Sequence, residues 1–402
     1  MVSKTDGSVA AFTREVNQST RAYEMVRKDQ LYRFEDDGSE EFDDDFVVPV
    51  IDMEDYLAGA PSAMNTFATQ LGESLTNIGF AILTGHGVDP ALVAGAEAAA
   101  EKIFDRPLEA KQAFAASRPP MCSVNQGYFS KGETSSLTAD LVEGWVLTRR
   151  AFAGLEDRYG PRLQHAAITK KHGGGVDTEG RFIPPDCPSA VAALTEYVRA
   201  MEKLPLPITR AMLHYLGCDA NSMGQLDEQM HHPSCGLRLN FYPPISSEED
   251  VTGAGRLLGH EDVTFITLLP APAIEGLQIL NRRTRKWIRV QADPGMIILN
   301  TGDYMQRISA DRFPSTTHRV SKPRTAAERL QPRVTVPLNI YLWEDDVLEV
   351  LPHLLARGEG QDYEPINAQA FHTAITEKYY GSPNGKREPS ASQQRADRKH
   401  KL

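Results

Sequence analysis

The sequence predicts a mixed α/β (α+β) fold, with helices in its first half, a β-sandwich or barrel after Gly236, and helices closing the chain. Three observations predict it. The stretch "SAMNTFATQLGESLTNIG" carries Met64, Phe67, Leu71 and Leu75 at helical spacing and stops at Gly79. After Gly236, short β-rich runs recur between turn signals: "LRLNFY", "RLLGHEDVTFITLL", "LQIL", "WIRV", "GMIILNTGDYMQRI", "STTHRV" and "RVTVPLNIYLW". Residues from about 347 to 380 then read as helix.

Taken in order, residues 1–46 form an acidic arm. Eight acids fall between Glu35 and Asp45 in "EDDGSEEFDDD", too like-charged to pack, so the arm is expected to be mobile. Residues 47–220 form a helical and strand region. It opens on the β-branched "VVPVID" (47–52), continues through the helix to Gly79 and the strand and turn "FAILTGHGV", and adds helices at 90–104 and 107–116. From Val124 to about Pro188 the chain is rich in Gly, Pro and Arg, the texture of a long segment covering a site. Helix resumes in "SAVAALTEYVRAMEKLPLPITRAMLHYLG", with Pro205 and Pro207 predicting a kink. Residues 221–350 are the β domain and 351–382 a C-terminal helical segment. The basic, polar tail 383–402 is expected to be disordered.

The formal net charge of −11 argues against nucleic acid or an anionic membrane as partner, since both require a basic face. Cys122, Cys187, Cys218 and Cys235 are widely spaced, which predicts free thiols in a reducing compartment. No apolar run reaches the roughly 18 residues of a membrane span, the polar N-terminus does not read as a signal peptide, and the final "HKL" only weakly resembles a peroxisomal address. A cytoplasmic protein is expected. Its oligomeric state is not legible.

One run breaks the β-core pattern. "LLGHEDVTFITLLP" (257–270) sets His260, Glu261 and Asp262 among apolar residues, and burying charge without partners costs several kcal/mol. If the run is one strand, His260 and Asp262 share a face and Glu261 points the other way. A His and a carboxylate side by side make two-thirds of the 2-His-1-carboxylate set that holds non-heme Fe(II). Of the downstream histidines, His318, His353, His372 and His400, only His318 lies in a strand-like run of the β region. A bound cation would offset the buried Asp262. Two further pairs have the same i, i+2 geometry. Arg333 and Thr335 present a guanidinium fork and a hydroxyl, suited to a carboxylate, and Asn240 with Tyr242 add polar groups to the same cavity.

With these motifs in place, the sequence over roughly residues 47–350 resembles the isopenicillin N synthase-like superfamily of Fe(II)/2-oxoglutarate-dependent dioxygenases. The family pattern of HxD, a distant His and RxS is matched by His260-Glu261-Asp262, by His318 56 residues after Asp262, and by Arg333-Val334-Thr335. "VPVIDM", "NIGFAILTGHGV", "LNFYPP", "EGLQIL", Trp287 and "GMIILNTGDYMQRIS" resemble the family's connecting text. Three departures stand out: Thr335 in place of Ser, Glu261 in place of a common Thr, and a lengthened loop "SKPRTAAERLQPR" offering Arg324 and Arg329 as alternative anchors.

The resemblance implies a double-stranded β-helix (jelly roll) and Fe(II) held by His260, Asp262 and His318. It implies 2-oxoglutarate anchored by Arg333 and Thr335, with Tyr242 and Asn240 assisting. Dioxygen is the oxidant, succinate and CO₂ are formed, and an unactivated C–H position of a small organic metabolite is oxidised by hydroxylation, desaturation or ring rearrangement. Tyr128, Phe129, Trp145 and Arg149, in the segment covering the site, are candidate substrate contacts. Two other activities fit the same ligands: an iron oxidase like isopenicillin N synthase, which does not use 2-oxoglutarate, and a zinc hydrolase.

Overall fold

The computed structural model describes residues 41–116, 126–131, 140–152, 184, 187–218, 220–250 and 255–380. Thirteen strands form two sheets. In chain order they are β1 (Val50–Asp52), β2 (Phe80–Thr84), β3 (Gly127–Phe129), β4 (Glu143–Thr148), β5 (Ser234–Tyr242), β6 (Leu257–His260), β7 (Ile266–Pro270), β8 (Leu277–Leu280), β9 (Trp287–Arg289), β10 (Ile297–Thr301), β11 (His318–Val320), β12 (Arg333–Thr335) and β13 (Leu338–Tyr341). The larger sheet runs β1-β2-β10-β7-β13-β5-β4-β3, with β12 also paired to β5, and the smaller runs β6-β11-β8-β9. The β1–β2 pair is parallel. The fold is mixed α/β with a large sheet, and the region before Gly236 contributes four of that sheet's nine strands.

Side-chain alternation decides what each face of the large sheet carries. Leu237 and Leu239 of β5, Ile266 and Leu268 of β7, Ile297 and Leu299 of β10, and Leu338 and Ile340 of β13 all enter one core. They pack there against Phe67, Leu71 and Leu75 of the helix Ala63–Ile78 and against Leu194, Tyr197, Val198 and Met201 of the helix Pro188–Met201. Each such side chain, fully buried, contributes about 1.5–3 kcal/mol. The populous helix-side core therefore dominates, which leaves the opposite face free to hold polar groups. That face meets the small sheet, where Ile279 and Ile288 pack on Phe80, Ile82 and Ile298. Beyond this apolar patch the two sheets enclose a cavity.

Local signals set the helix ends. Asp89 accepts from the Ala91 amide at 2.8 Å and Pro90 occupies the first turn of Pro90–Phe104. Gly79 ends Ala63–Ile78 in the left-handed region, where a Cβ would lie 2.4 Å from the Pro314 carbonyl.

Several expectations need correction. Pro205 starts a second helix, Pro205–Leu216, instead of kinking the first, because its missing amide is harmless only in a first turn. The expected helix at 107–116 is the short Leu108–Gln112. The closing segment is not continuous helix: a two-strand ribbon, Val347–Leu348 with Ile366–Asn367, frames the helix Pro352–Ala356 and precedes Ala368–Tyr380. Residues 41–46 of the acidic arm are docked. Asp43 donates its amide to the Trp287 carbonyl, Asp44 pairs with Arg289, and Phe42 lies under the Arg289 guanidinium at 3.4 Å. Pairing of Asp44 with Arg289 and of Glu41 with Lys286 offsets two of the charges that the sequence predicts to be self-repelling. The rest of the arm, Cys122 and the tail lie outside the described residues. Cys187, Cys218 and Cys235 are free thiols. Among the described residues no helix is long and apolar enough to cross a membrane.

Candidate active site

The run 257–270 is two strands, not one. β6 ends at His260 in the small sheet, the chain crosses over residues 261–265, and β7 begins at Ile266 in the large sheet. Asp262 therefore reaches the cavity from the crossing segment and not by strand alternation. His318 on β11 stands directly opposite His260 on β6. The ligating atoms of His260, Asp262 and His318 all lie within 4.8 Å of one another. Asp262 Oδ1 faces both imidazoles, 3.6 Å from His260 Nε2 and 3.8 Å from His318 Nε2.

His260 Nδ1 lies 2.8 Å from the Leu258 carbonyl and His318 Nδ1 lies 3.1 Å from the Thr316 carbonyl. A carbonyl only accepts, so each Nδ1 donates to it and each Nε2 is the nitrogen turned toward Asp262 and the metal position. Burial, then the neighbouring His318, pushes the His260 pKa down to about 4, so the ring is neutral near pH 7. Burial opposes ionisation of Asp262. His318, His260 and hydrogen bonds from Asn300 and Thr267 override it and hold the carboxyl below the usual carboxylate range. Two imidazoles that turn Nε2 inward and one carboxylate, converging on one point, fit a divalent cation such as iron(II). Glu261 turns away, accepting from Thr317 at 2.9 Å with Arg282 3.7 Å off.

The cavity, with a volume of about 70 Å³ and an open mouth, is bordered by a row of polar side chains on β5 and β12. Arg333 faces Tyr242 and Thr335 faces Asn240 in the antiparallel register. Arg333 is buried, with its guanidinium 4.8 Å from the Tyr242 ring and its Nε donating to the Ile274 carbonyl. Its Nη1 is buried with no hydrogen-bond partner among the described residues. Asn240 Nδ2 donates to Thr335 Oγ1 at 3.2 Å. An orphaned buried guanidinium N–H beside a hydroxyl fits a carboxylate ligand, since leaving such a donor unmade costs about 1–3 kcal/mol. The alternative anchors sit elsewhere: Arg324 pairs with Glu275 on the surface and Arg329 donates to the Pro323 carbonyl.

The four candidate substrate contacts do not line this cavity. Trp145 lies opposite Leu239 and Tyr128 opposite Trp145, so both face the helix-side core. Tyr128 donates to Glu143 there at 2.7 Å, and Arg149 is buried against Glu202 at 2.6 Å. Phe129 is half-buried beside Gly144. On β4 it is Gly144 and Val146, opposite Asn240 and Arg238, that share the face of the polar row.

Four residues unassigned in the sequence bear on the site, three of them in the cavity lining and Arg256 outside it. Asn300 and Thr267 hold Asp262. Arg238 lines the cavity two positions before Asn240, a place the same alternation could have flagged. Arg256, fully buried 6.0 Å from the Tyr242 ring, donates to the Gln331 carbonyl just before β12. Burial and then Arg333 push its pKa down to about 10.

Two family profiles match the chain. The one described as "non-haem dioxygenase in morphine synthesis N-terminal" spans residues 48–164, and the "2OG-Fe(II) oxygenase superfamily" spans 233–338. The chain is 27% identical over 278 residues to the 2-oxoglutarate-Fe(II) type oxidoreductase ppzC of Metarhizium majus, covering 68% of this chain and 72% of that protein. It is 29% identical over 285 residues to proline hydroxylase buaE of Petromyces alliaceus, covering 68% and 80%. The crystal structure of a full-length Neurospora crassa protein in complex with alpha-KG and thymine shares the fold, with a TM-score of 0.67 at 22% identity over 84% of this chain and 98% of that one. With the two profiles covering more than half of its length, the chain belongs to the 2OG-Fe(II) oxygenase superfamily and is a 2-oxoglutarate-dependent iron(II) oxidoreductase.

Proposed function

We propose that the protein oxidises an unactivated C–H position of a small organic metabolite, with His260, Asp262 and His318 holding iron(II) and Arg333 and Thr335 holding 2-oxoglutarate. The observation that carries this reading is one cavity lined by both the three converging ligands and the orphaned guanidinium. The two facing sheets are read as the halves of a double-stranded β-helix, with the cavity between them.

When bound, iron(II) supplies activation of dioxygen coupled to decarboxylation of 2-oxoglutarate to succinate and CO₂. The protein's own groups do the rest. Arg333 and Thr335 anchor the distal carboxylate, Asn240 orients the Thr335 hydroxyl, and the Tyr242 ring braces the guanidinium. Asn300 and Thr267 keep one oxygen of Asp262 occupied so that the other faces the histidines. Phe80, Leu257, Leu269, Leu277 and Val320 line the remaining wall and exclude water.

The test is anaerobic titration with Fe(II) and then 2-oxoglutarate, followed by the weak visible metal-to-ligand band. The band is expected to appear on addition of 2-oxoglutarate and to vanish in Asp262→Ala. Iron binding without the band would favour an oxidase that leaves 2-oxoglutarate unused.

A further inference from the structure

Charges in the cavity do not balance, and the excess lies on Arg238. Among the described residues lining it, Asp262 is the only carboxylate, while Arg238 and Arg333 are both cations. Iron(II) with Asp262 leaves one positive charge, the two guanidiniums add two, and 2-oxoglutarate removes two. One positive charge remains, in a half-enclosed space where an uncompensated charge is costly.

Arg238 has the geometry of a waiting ligand group. It follows the same alternation as Asn240 and Tyr242, so the three form one row along β5, with Tyr242 beside Arg333 at one end and Arg238 at the other. It is half-buried. Its Nε donates to Asn240 Oδ1 at 2.9 Å, which fixes the plane of the fork, and no carboxylate among the described residues pairs with it. The bond to Asn240 links it to Thr335 through the Asn240 amide.

We propose that Arg238 binds a carboxylate of the prime substrate, which makes the substrate a small organic acid oxidised while its acid group is held on this fork. A single planar fork matches a carboxylate bidentately, whereas a phosphate dianion calls for more donors than this end of the cavity offers. The proposal rests on the iron and 2-oxoglutarate reading above.

The experiment uses the full chain loaded with Mn(II) and saturating 2-oxoglutarate. Paramagnetic relaxation of ligand protons is measured for phenylacetate and 3-phenylpropionate against their neutral amides. The acids should bind at least about tenfold more tightly than the amides, as expected for loss of one charge-assisted pair. Arg238→Gln should bring acids and amides to parity, and Arg238→Lys should keep part of the preference. The 2-oxoglutarate constant, measured calorimetrically, should rise by no more than about threefold in either variant, because Arg238 reaches the clamp only through Asn240. Retained 2-oxoglutarate binding also shows that the variants fold.

Parity in the native protein, no detectable binding of either acid, or acids that displace 2-oxoglutarate would overturn the proposal. A 2-oxoglutarate constant raised roughly 30-fold in Arg238→Gln, as much as a direct carboxylate partner would give, would also overturn it by placing Arg238 in the 2-oxoglutarate clamp. Failure of the native Mn(II) protein to bind 2-oxoglutarate at all would instead overturn the functional reading on which the proposal stands.

Discussion

Asn300 and Thr267 face each other across β10 and β7, and both donate to the same oxygen of Asp262, at 2.8 and 2.7 Å. This pairing leaves Oδ1 as the oxygen turned to His260 and His318. It also answers why a carboxylate can sit at the end of a β-core run. Two neutral donors satisfy one of its oxygens, and the other is kept for a cation.

Asn300→Ala and Thr267→Val should therefore weaken metal binding without unfolding the protein. Loss of one outer hydrogen bond to a ligating carboxylate lowers affinity by about 10–100-fold. Titration with Mn(II), read by electron paramagnetic resonance, checks this. Native affinity in both variants would mean that Asp262 is oriented by something else.

Glu261 lies between two ligands in sequence but faces the other way, toward Thr317 and Arg282. Glu261→Gln should leave metal affinity and 2-oxoglutarate turnover within about twofold, since a glutamine oxygen can still accept from Thr317 and the 3.7 Å pair with Arg282 lies away from the three ligands. Measured succinate formation below a tenth of native would show that the 261–265 crossing has been misjudged.

The residue types that surround the cavity, and their spacing, were legible because each motif is local. His260 with Asp262, His318, and Arg333 with Thr335 could all be read from short runs, and the structure gathers them around one cavity. The reason for Asp262's direction was not legible. Strand alternation supplied the right neighbour by the wrong route, because β6 stops at His260 and the chain changes sheets. Asn300 and Thr267 meet only through the β10–β7 register, which no single run encodes. The position of Trp145 away from the cavity has a related reason. Which face of β4 meets the cavity depends on its pairing with β5, and that pairing sets Trp145 against Leu239.

Gly302 fixes how closely the strand after Asn300 approaches the metal segment. A Cβ there would lie 2.3 Å from the Thr264 carbonyl and 2.6 Å from the Asp262 carbonyl, both backbone atoms. Gly302→Ala should destabilise the protein by about 1–3 kcal/mol by overpacking and weaken Mn(II) binding by shifting Asp262. Gly95, inside the helix Pro90–Phe104 with open space around it, is the contrast. Gly95→Ala should stabilise by up to about 1 kcal/mol and leave Mn(II) binding alone. Thermal melts of the two variants should move in opposite directions.

Arg333 separates the two iron readings most sharply. If the clamp holds 2-oxoglutarate, its guanidinium meets a carboxylate common to every turnover, whatever the prime substrate. Removing one partner of a buried charge-assisted pair costs about 2–5 kcal/mol, so Arg333→Gln should raise the apparent 2-oxoglutarate constant roughly 30-fold or more. Mn(II) affinity should barely change, because Arg333 touches Tyr242 and Ile274 and none of the three ligands. Thr335→Val should act in the same direction with a smaller effect, about 1 kcal/mol for one neutral hydroxyl bond, and it also strands the Asn240 amide. For an oxidase the pattern reverses, since no succinate forms and the mutation weakens the substrate's own carboxylate. Succinate formed per oxygen consumed in the native protein, followed by the 2-oxoglutarate constant in Arg333→Gln, distinguishes them. An unchanged constant would remove Arg333 from the clamp and leave its buried Nη1 without a purpose.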